Sequence, residues 1–424
     1  MTQLKQNERY KYLSVFIIVC GLLYIFAYQF KLPFKADLFL YGMAAGLALI
    51  TLFNGQIVIS LQVGLFLLTA IAGIIGLAYT SMPIEGQRES ILFVFFVVLF
   101  CTSLANAALV KRFVRWIYYI SILVVLSSIL HSLIPTGFNL LMRQILRKDA
   151  FQQLMWSYSV DSSFAGITAY TPNTTFSAAI VFGYSFLNLV YRKEPPVIKS
   201  KLLNLLLLAL SLFCIILCSK RGIFAATLAG LFVLLFYLYL GKNFFGWLLG
   251  ISVISTILLL ILYYTNDFVA AFFDRFTADD ITTGRDAIYT TLLSDFWAGN
   301  VFIGNGTGAT YALAGTGAHN IYLQILYDHG LLLSFPYYIW MFYNYYLAFK
   351  YHCPLSIFVQ TMFLVYGLFG NPLYSNMFMI IYIYYVLYAV AMPPVERTKS
   401  KPQTAGLRRS NPGAATRKDY GSNI

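Results

Sequence analysis

Apolar residues run through this chain in blocks of about 17 to 22, the length a helix needs to cross a hydrocarbon layer at about 1.5 Å per residue. The blocks lie at about 13–30, 37–53, 57–78, 89–107, 114–133 and 174–191, and again at about 202–219, 222–240, 245–264, 330–349, 354–369 and 375–391. They predict an all-α protein with about twelve membrane-spanning helices over residues 1–391. Most blocks are joined by short polar connections. Two connections are long, about 134–172 and about 265–329, and long structured connections are where function concentrates. Beyond Met392 the chain becomes Pro-, Ser- and Arg-rich without a hydrophobic period, which predicts a disordered basic tail over 392–424.

Composition sharpens this picture. Apolar residues make up 59% of the chain and charged residues 11%, where a soluble domain carries about 25% charged residues. Cytoplasmic loops accumulate Lys and Arg, and an N-terminus inside puts Lys5, Arg9 and Lys11, then Lys111, Arg112 and Arg115, then Arg192, Lys193, Lys199 and Lys201 on that side. Lys242, Lys350 and the tail join them. Nineteen of the 29 Lys and Arg then fall inside and twelve of the 16 Asp and Glu outside. The net charge of +13 is thus mostly topological and calls for no nucleic-acid partner, since the basic clusters sit beside apolar spans. The first block follows a basic segment, as in a signal peptide, but no small-residue cleavage site follows it. Cys20, Cys101, Cys214 and Cys218 lie within spans and Cys353 at a boundary, which argues against a disulfide framework.

The first long connection contains an amphipathic stretch, 138–155, with Leu140, Leu141, Ile145, Leu146 and Leu154 mostly on one side and Arg143, Arg147 and Lys148 between them. It reads as an interfacial helix held by snorkelling cations, or as one whose charges meet a lipid-linked anion. The second opens on Phe268, Phe272, Phe273 and Phe276 and reaches Asp279, Asp280 and the run Thr283-Gly284-Arg285-Asp286. Thr283 and Asp286 have the spacing of a capping pair. The helix they start would carry Ile288, Leu292, Leu293, Phe296 and Trp297 on one stripe, with Arg285 in its first turn. An arginine there opposes the helix dipole unless an anion joins it.

The glycine run Gly304-Asn305-Gly306-Thr307-Gly308, with Gly315 and Gly317 beyond, lacks a surrounding strand–helix unit and reads as tight turns or close backbone packing. Next comes His319-Asn320-Ile321-Tyr322-Leu323-Gln324, in which His319 would start a helix and Gly330 would break it. A histidine at a helix start has its protonated form disfavoured, leaving an imidazole able to accept a proton near neutral pH. Finally Ser219-Lys220-Arg221-Gly222 forms a doubly basic corner on the outer side, against the charge bias. A boundary arginine on that side is a functional candidate facing an anionic ligand, and Arg221 is the strongest single candidate.

These three segments, in this order and with the long connection between the last two, resemble the O-antigen ligase and polymerase superfamily of bacterial membrane glycosyltransferases. The resemblance covers about 200–370 most clearly and the N-terminal half only in span number and loop placement. The family carries serine directly before its first arginine; here Lys220 intervenes, and Arg221 is the equivalent. The resemblance implies a GT-C-like membrane fold in the bacterial cytoplasmic membrane. It also implies transfer of a glycan from undecaprenyl diphosphate to an acceptor hydroxyl at the outer face. Arg221 and Arg285 would bind the diphosphate, His319 would act as base, and Lys220, Arg143, Arg147 and Tyr322 would be secondary. No cofactor or metal is implied; Asp279 and Asp280 read as a solvated loop or helix entry. Expected partners are the lipid-linked glycan, the bilayer, and a flippase and chain-length regulator of the same pathway. With no separate acceptor domain, repeat-unit polymerisation for O-antigen, capsule or exopolysaccharide is favoured over ligation to lipid A core. A multispan transporter or flippase shares the layout, but transporters place ionisable or broken-helix features near the midplane, whereas charges here gather at the outer boundary.

Overall fold

The computed structural model describes residues 11–29, 35–54, 60–159, 163–191, 197–239, 257, 260–261, 263–265, 267–274 and 284–391. Among them the secondary structure is helical throughout, with no strand. The N-terminal helices are α1 (Lys11–Gln29), α2 (Asp37–Asn54), α3 (Leu61–Leu77), α4 (Pro83–Leu104) and α5 (Ala107–Leu133). The first long connection carries α6 (Pro135–Ile145) and α7 (Lys148–Ser159). Then follow α8 (Thr171–Val190), α9 (Lys201–Leu217) and α10 (Arg221–Tyr239). The second connection contains α11 (Asp267–Asp274), α12 (Arg285–Ala298) and α13 (Ala309–Ala314), and the chain closes with α14 (Ile321–Lys350), α15 (Pro354–Tyr366) and α16 (Asn376–Ala391).

Local sequence explains many of the starts. Ser60, Asn106, Ser200 and Asn320 cap α3, α5, α9 and α14 by accepting from backbone N–H groups of the first turn. Proline occupies the first turn of α4, α6, α8 and α15, where its missing N–H costs nothing. Eleven of the twelve expected blocks fall on described helices, and the block at 245–264 lies largely outside the described residues. By length and composition α5 and α10 are long and apolar enough to cross a membrane; α1, α2, α3, α4, α9, α15 and α16 hold shorter apolar stretches.

Helix α16 sits at the centre, with every residue from Met377 to Ala389 buried. Around it α5 packs on α8, α8 on α9, α10 on α15, and α3 on both α4 and α14. Polar side chains inside are paired across helices: Gln62 Nε2 donates to Asn344 Oδ1 at 2.7 Å, and Ser356 Oγ to the Tyr385 carbonyl at 2.6 Å. The outward faces are apolar, with Leu205, Leu228, Phe232, Phe335 and Phe342 all exposed.

Three expectations are corrected. The amphipathic stretch is two helices, because Leu146 adopts an extended conformation between α6 and α7. Its inward stripe is Phe138, Met142, Leu146, Ala150 and Leu154, whereas Leu140, Leu141 and Ile145 face out. The four-residue repeat of the inward set is the stripe of a helix pair packed on its own protein, and Leu140, Leu141 and Ile145 form its outer face. Helix α12 starts after Gly284, which has φ 78°, rather than from a Thr283 cap; Thr283 itself lies outside the described residues. Its stripe also divides, with Leu292 and Phe296 buried while Leu293 and Trp297 are exposed. The basic tail, Lys242, Phe276, Asp279 and Asp280 likewise fall outside the described residues.

Candidate functional site

Helix α14 is one helix by hydrogen bonding but breaks at Gly330, where φ is 66° and ψ −175°. Only glycine fits there: a Cβ would stand 2.3 Å from the Gly304 nitrogen and 2.5 Å from the Phe302 carbonyl carbon. The N–H groups freed just past the break are taken up by the loop, Leu331 bonding to the Val301 carbonyl and Leu332 to that of Phe302, each at 2.9 Å. The glycine run is held by the buried Asp328, which accepts from Thr310 N at 2.8 Å, Thr310 Oγ1 at 2.7 Å and Gly308 N at 3.3 Å. Burial pushes the Asp328 carboxyl up to about 7, against the hydrogen bonds from Thr310 and Gly308 that favour the ionised form. Thr307 pins the same loop to α3, its Oγ1 donating to the Gly73 carbonyl at 2.8 Å. Gly304, Gly306 and Gly308 all have positive φ, so the run is the series of tight turns its composition predicts.

This scaffold fixes the segment that follows. His319 stands two residues before the first helical residue of α14 with φ 54°, and Asn320, rather than His319, is the cap. Tyr289 of α12 donates to the His319 carbonyl at 3.3 Å. Burial, and second the charge of Arg285, hold the His319 imidazole below its ordinary value, so it is neutral at pH 7. Neutrality was expected from the helix dipole; the structure assigns it to desolvation and a neighbouring guanidinium.

The last turn of α15 and the residues just after it gather these pieces through their carbonyls. Arg285 Nη1 donates to the Phe369 carbonyl at 2.9 Å, Ile321 N to that of Gly367 at 2.8 Å, and the Tyr322 hydroxyl to that of Leu364 at 2.7 Å. From the other side Gly222 presses on Phe369, where a Cβ would meet the phenylalanine Cβ at 2.6 Å. Arg221, the residue before it, opens the first turn of α10, and Lys220 lies close enough to Cys218 for their charges to interact. Gly222 of α10 and Arg285 of α12 thus both contact Phe369, and Arg285 reaches His319 electrostatically.

Beside this turn lies a cavity of about 610 Å³, lined by His319, Arg147, Tyr170, Tyr311, Tyr366 and Asn371 among others. That volume is within the range of ligand pockets, about 300–1,000 Å³. Both long connections contribute: Arg147, at the break between α6 and α7, bonds Asp149 Oδ2 at 3.2 Å and reaches the wall that His319 lines from the other connection. Of the site residues expected from the sequence, His319 and Arg147 line it, whereas Arg143, Lys220, Arg221, Arg285 and Tyr322 do not, and the Tyr322 hydroxyl is committed to a backbone carbonyl. Aromatic rings and amides around a cavity with a neutral imidazole and nearby guanidinium groups suit a sugar, a proton acceptor and an anion. Sequence reasoning passed over Tyr170, Tyr311, Tyr366, Asn371 and Asp328. Asp328 alone carried a signal, as an acid at the edge of an apolar block. Among the described residues no three His, Cys, Asp or Glu side chains converge on a metal-binding geometry. No protein-family model and no curated protein sequence matches the chain.

Proposed function

We propose that this chain is a polytopic membrane glycosyltransferase that moves a glycan from undecaprenyl diphosphate to an acceptor hydroxyl, polymerising repeat units of O-antigen, capsule or exopolysaccharide. The observation that carries the reading is that His319 lines a cavity to which both long connections contribute, with Arg285 near enough for its charge to act on the imidazole. The apolar outward faces support embedding in lipid, since soluble monomers rarely expose contiguous apolar surface beyond a few hundred Å². In this reading about twelve helices span the cytoplasmic membrane of a bacterium with both termini inside, and the cavity opens on the outer face. A flippase and a chain-length regulator would act beside it.

The chemistry follows from the groups. His319 Nδ1 or Nε2, neutral at pH 7, takes the proton of the acceptor hydroxyl as its oxygen bonds to the anomeric carbon. The bond from that carbon to the diphosphate oxygen breaks, the electron pair leaves with the lipid diphosphate, and configuration inverts. Arg221 and Arg285 hold the phosphate oxygens as their charge grows; one such donor commonly supplies about 10²-fold or more in rate. The Phe369 carbonyl uses one guanidinium N–H of Arg285 and so aims the remaining donors.

Transfer of a lipid-linked glycan by the purified full-length protein tests the assignment. His319→Ala and Arg285→Ala are expected each to lower turnover about 10²- to 10⁴-fold, with Arg221→Ala similar; full activity in all three overturns it. Ladders built from repeat units alone support polymerisation, whereas an absolute need for lipid A core makes the enzyme a ligase. Translocation in proteoliposomes without any glycan product would make it a transporter.

A further inference from the structure

At the opposite end of the bundle from the glycine run, four helix ends meet around a second cavity of about 160 Å³. Its wall takes Lys111 and Arg115 from the start of α5, Asn188 and Tyr191 from the end of α8, Pro354 from the start of α15 and Tyr388 from the end of α16. Lys111 and Arg115 are four residues apart and share a helix face. Among the described residues no carboxylate lines the cavity, and neither cation has an acidic partner. The starts of α5 and α15 bring positive helix-dipole ends and the ends of α8 and α16 bring negative ones, so the sign of the field at the cavity is set by Lys111 and Arg115. The cavity is therefore electropositive and open to an anion.

The surface of α5 leading away from it grades in polarity. Arg112 and Arg115 are exposed; Trp116 and Tyr119 follow at 43% and 39% exposure, their rings 5.7 Å apart; Leu123, Leu126 and Leu130 come next at 48%, 45% and 47%. These positions recur at three- and four-residue steps, so they form one outward stripe. Cation, amphipathic aromatic and aliphatic chain in that order match the phosphate, glycerol and acyl levels of a bilayer leaflet. A free phosphate would have no use for the aromatic and aliphatic part of the stripe.

We propose that this cavity is a binding site for the phosphate of an anionic phospholipid, held by Lys111 and Arg115, with the lipid's glycerol and acyl chains running along Trp116, Tyr119 and Leu123. The proposal rests on the membrane reading but not on glycan transfer. Basic pockets between helices at the cytoplasmic boundary recognise anionic headgroups in this way.

The full-length protein, purified in detergent and offered phosphatidylglycerol and phosphatidylcholine together, tests it by native mass spectrometry. Wild type is expected to retain phosphatidylglycerol preferentially. The double variant Lys111→Gln/Arg115→Gln should weaken that lipid about thirtyfold, the equivalent of roughly 1 kcal/mol per cation, and leave phosphatidylcholine unchanged. Lys350→Gln, which removes an exposed charge at the end of α14, outside the cavity and off the α5 stripe, should leave both lipids unchanged. Equal retention of the two lipids by wild type, an equal loss in Lys350→Gln, or displacement of the lipid by excess inorganic phosphate overturns the proposal. A photoactivatable phosphatidylglycerol on the wild-type protein gives a reading independent of variants: labelling of 107–126 supports the site, and labelling confined to other helices refutes it.

Discussion

The two long connections line one cavity and each packs a small apolar core, yet they differ in what their hydrogen bonds hold. The first is a small apolar core of its own, with Phe138, Met142, Leu146, Ala150 and Leu154 packed beneath α6 and α7. The second also holds a small core, Leu292, Phe296, Ala309, Ala318 and Tyr327, and is in addition stitched by hydrogen bonds: Asp328 to the glycine run, Thr307 to α3, Tyr322 to the last turn of α15, and Arg285 and Ile321 to the residues just after it. Hydrophobic packing is non-directional and tolerates displacement, whereas hydrogen bonds fix angles. The imidazole and guanidinium that need orientation are on the stitched connection, and the packed one supplies a wall.

Breaking each connection by its own logic separates the two. Gly330→Ala is expected to cost most, about 3–5 kcal/mol, because it adds overpacking against backbone to a conformation that disfavours a side chain. Thermal unfolding in detergent reads that loss, and a shift of less than about 1 kcal/mol would show that the loop yields where the contacts say it does not. Leu154→Ala, in the packed connection, should cost about 2–3 kcal/mol and loosen 135–159 to limited proteolysis, with the 300–330 region still protected. Increased cleavage in both regions would unite what the contacts divide.

The smallest effect is the most specific. His319 is held below its ordinary value, so loss of activity on acidification should have its midpoint below pH 6.5, with a flat profile above. Arg285→Gln removes a neighbouring positive charge, which makes protonation easier, so the residual activity should show that limb displaced toward higher pH. An unmoved limb would mean that the two side chains do not sense each other.

The comparison also explains what could be read from residue order. Apolar blocks mark helices because burial or lipid contact needs length and little else, and α2, α10 and α16 fall within a residue or two of their blocks. Arg285 and His319 were visible because charge and imidazole stand out in an apolar chain. The anchor of both is a set of main-chain carbonyls at Leu364, Gly367 and Phe369, and a carbonyl acceptor has no residue type to betray it. In the packed connection, periodicity was present, but two apolar stripes compete on α6 and the outward one contains more leucine. Helix pattern alone does not say which of two apolar faces meets protein.

Phe369 meets Gly222 with its side chain and Arg285 with its carbonyl. In the proposed reaction, a shift of that one residue as a lipid-linked glycan passes would carry Gly222 and the Arg285 guanidinium in the same direction. The spacing between the two cationic groups would then change less than the position of either. On the glycan-transfer proposal, such common-mode movement would let the end of α15 breathe with a bulky, growing ligand while preserving the separation that two linked phosphates require.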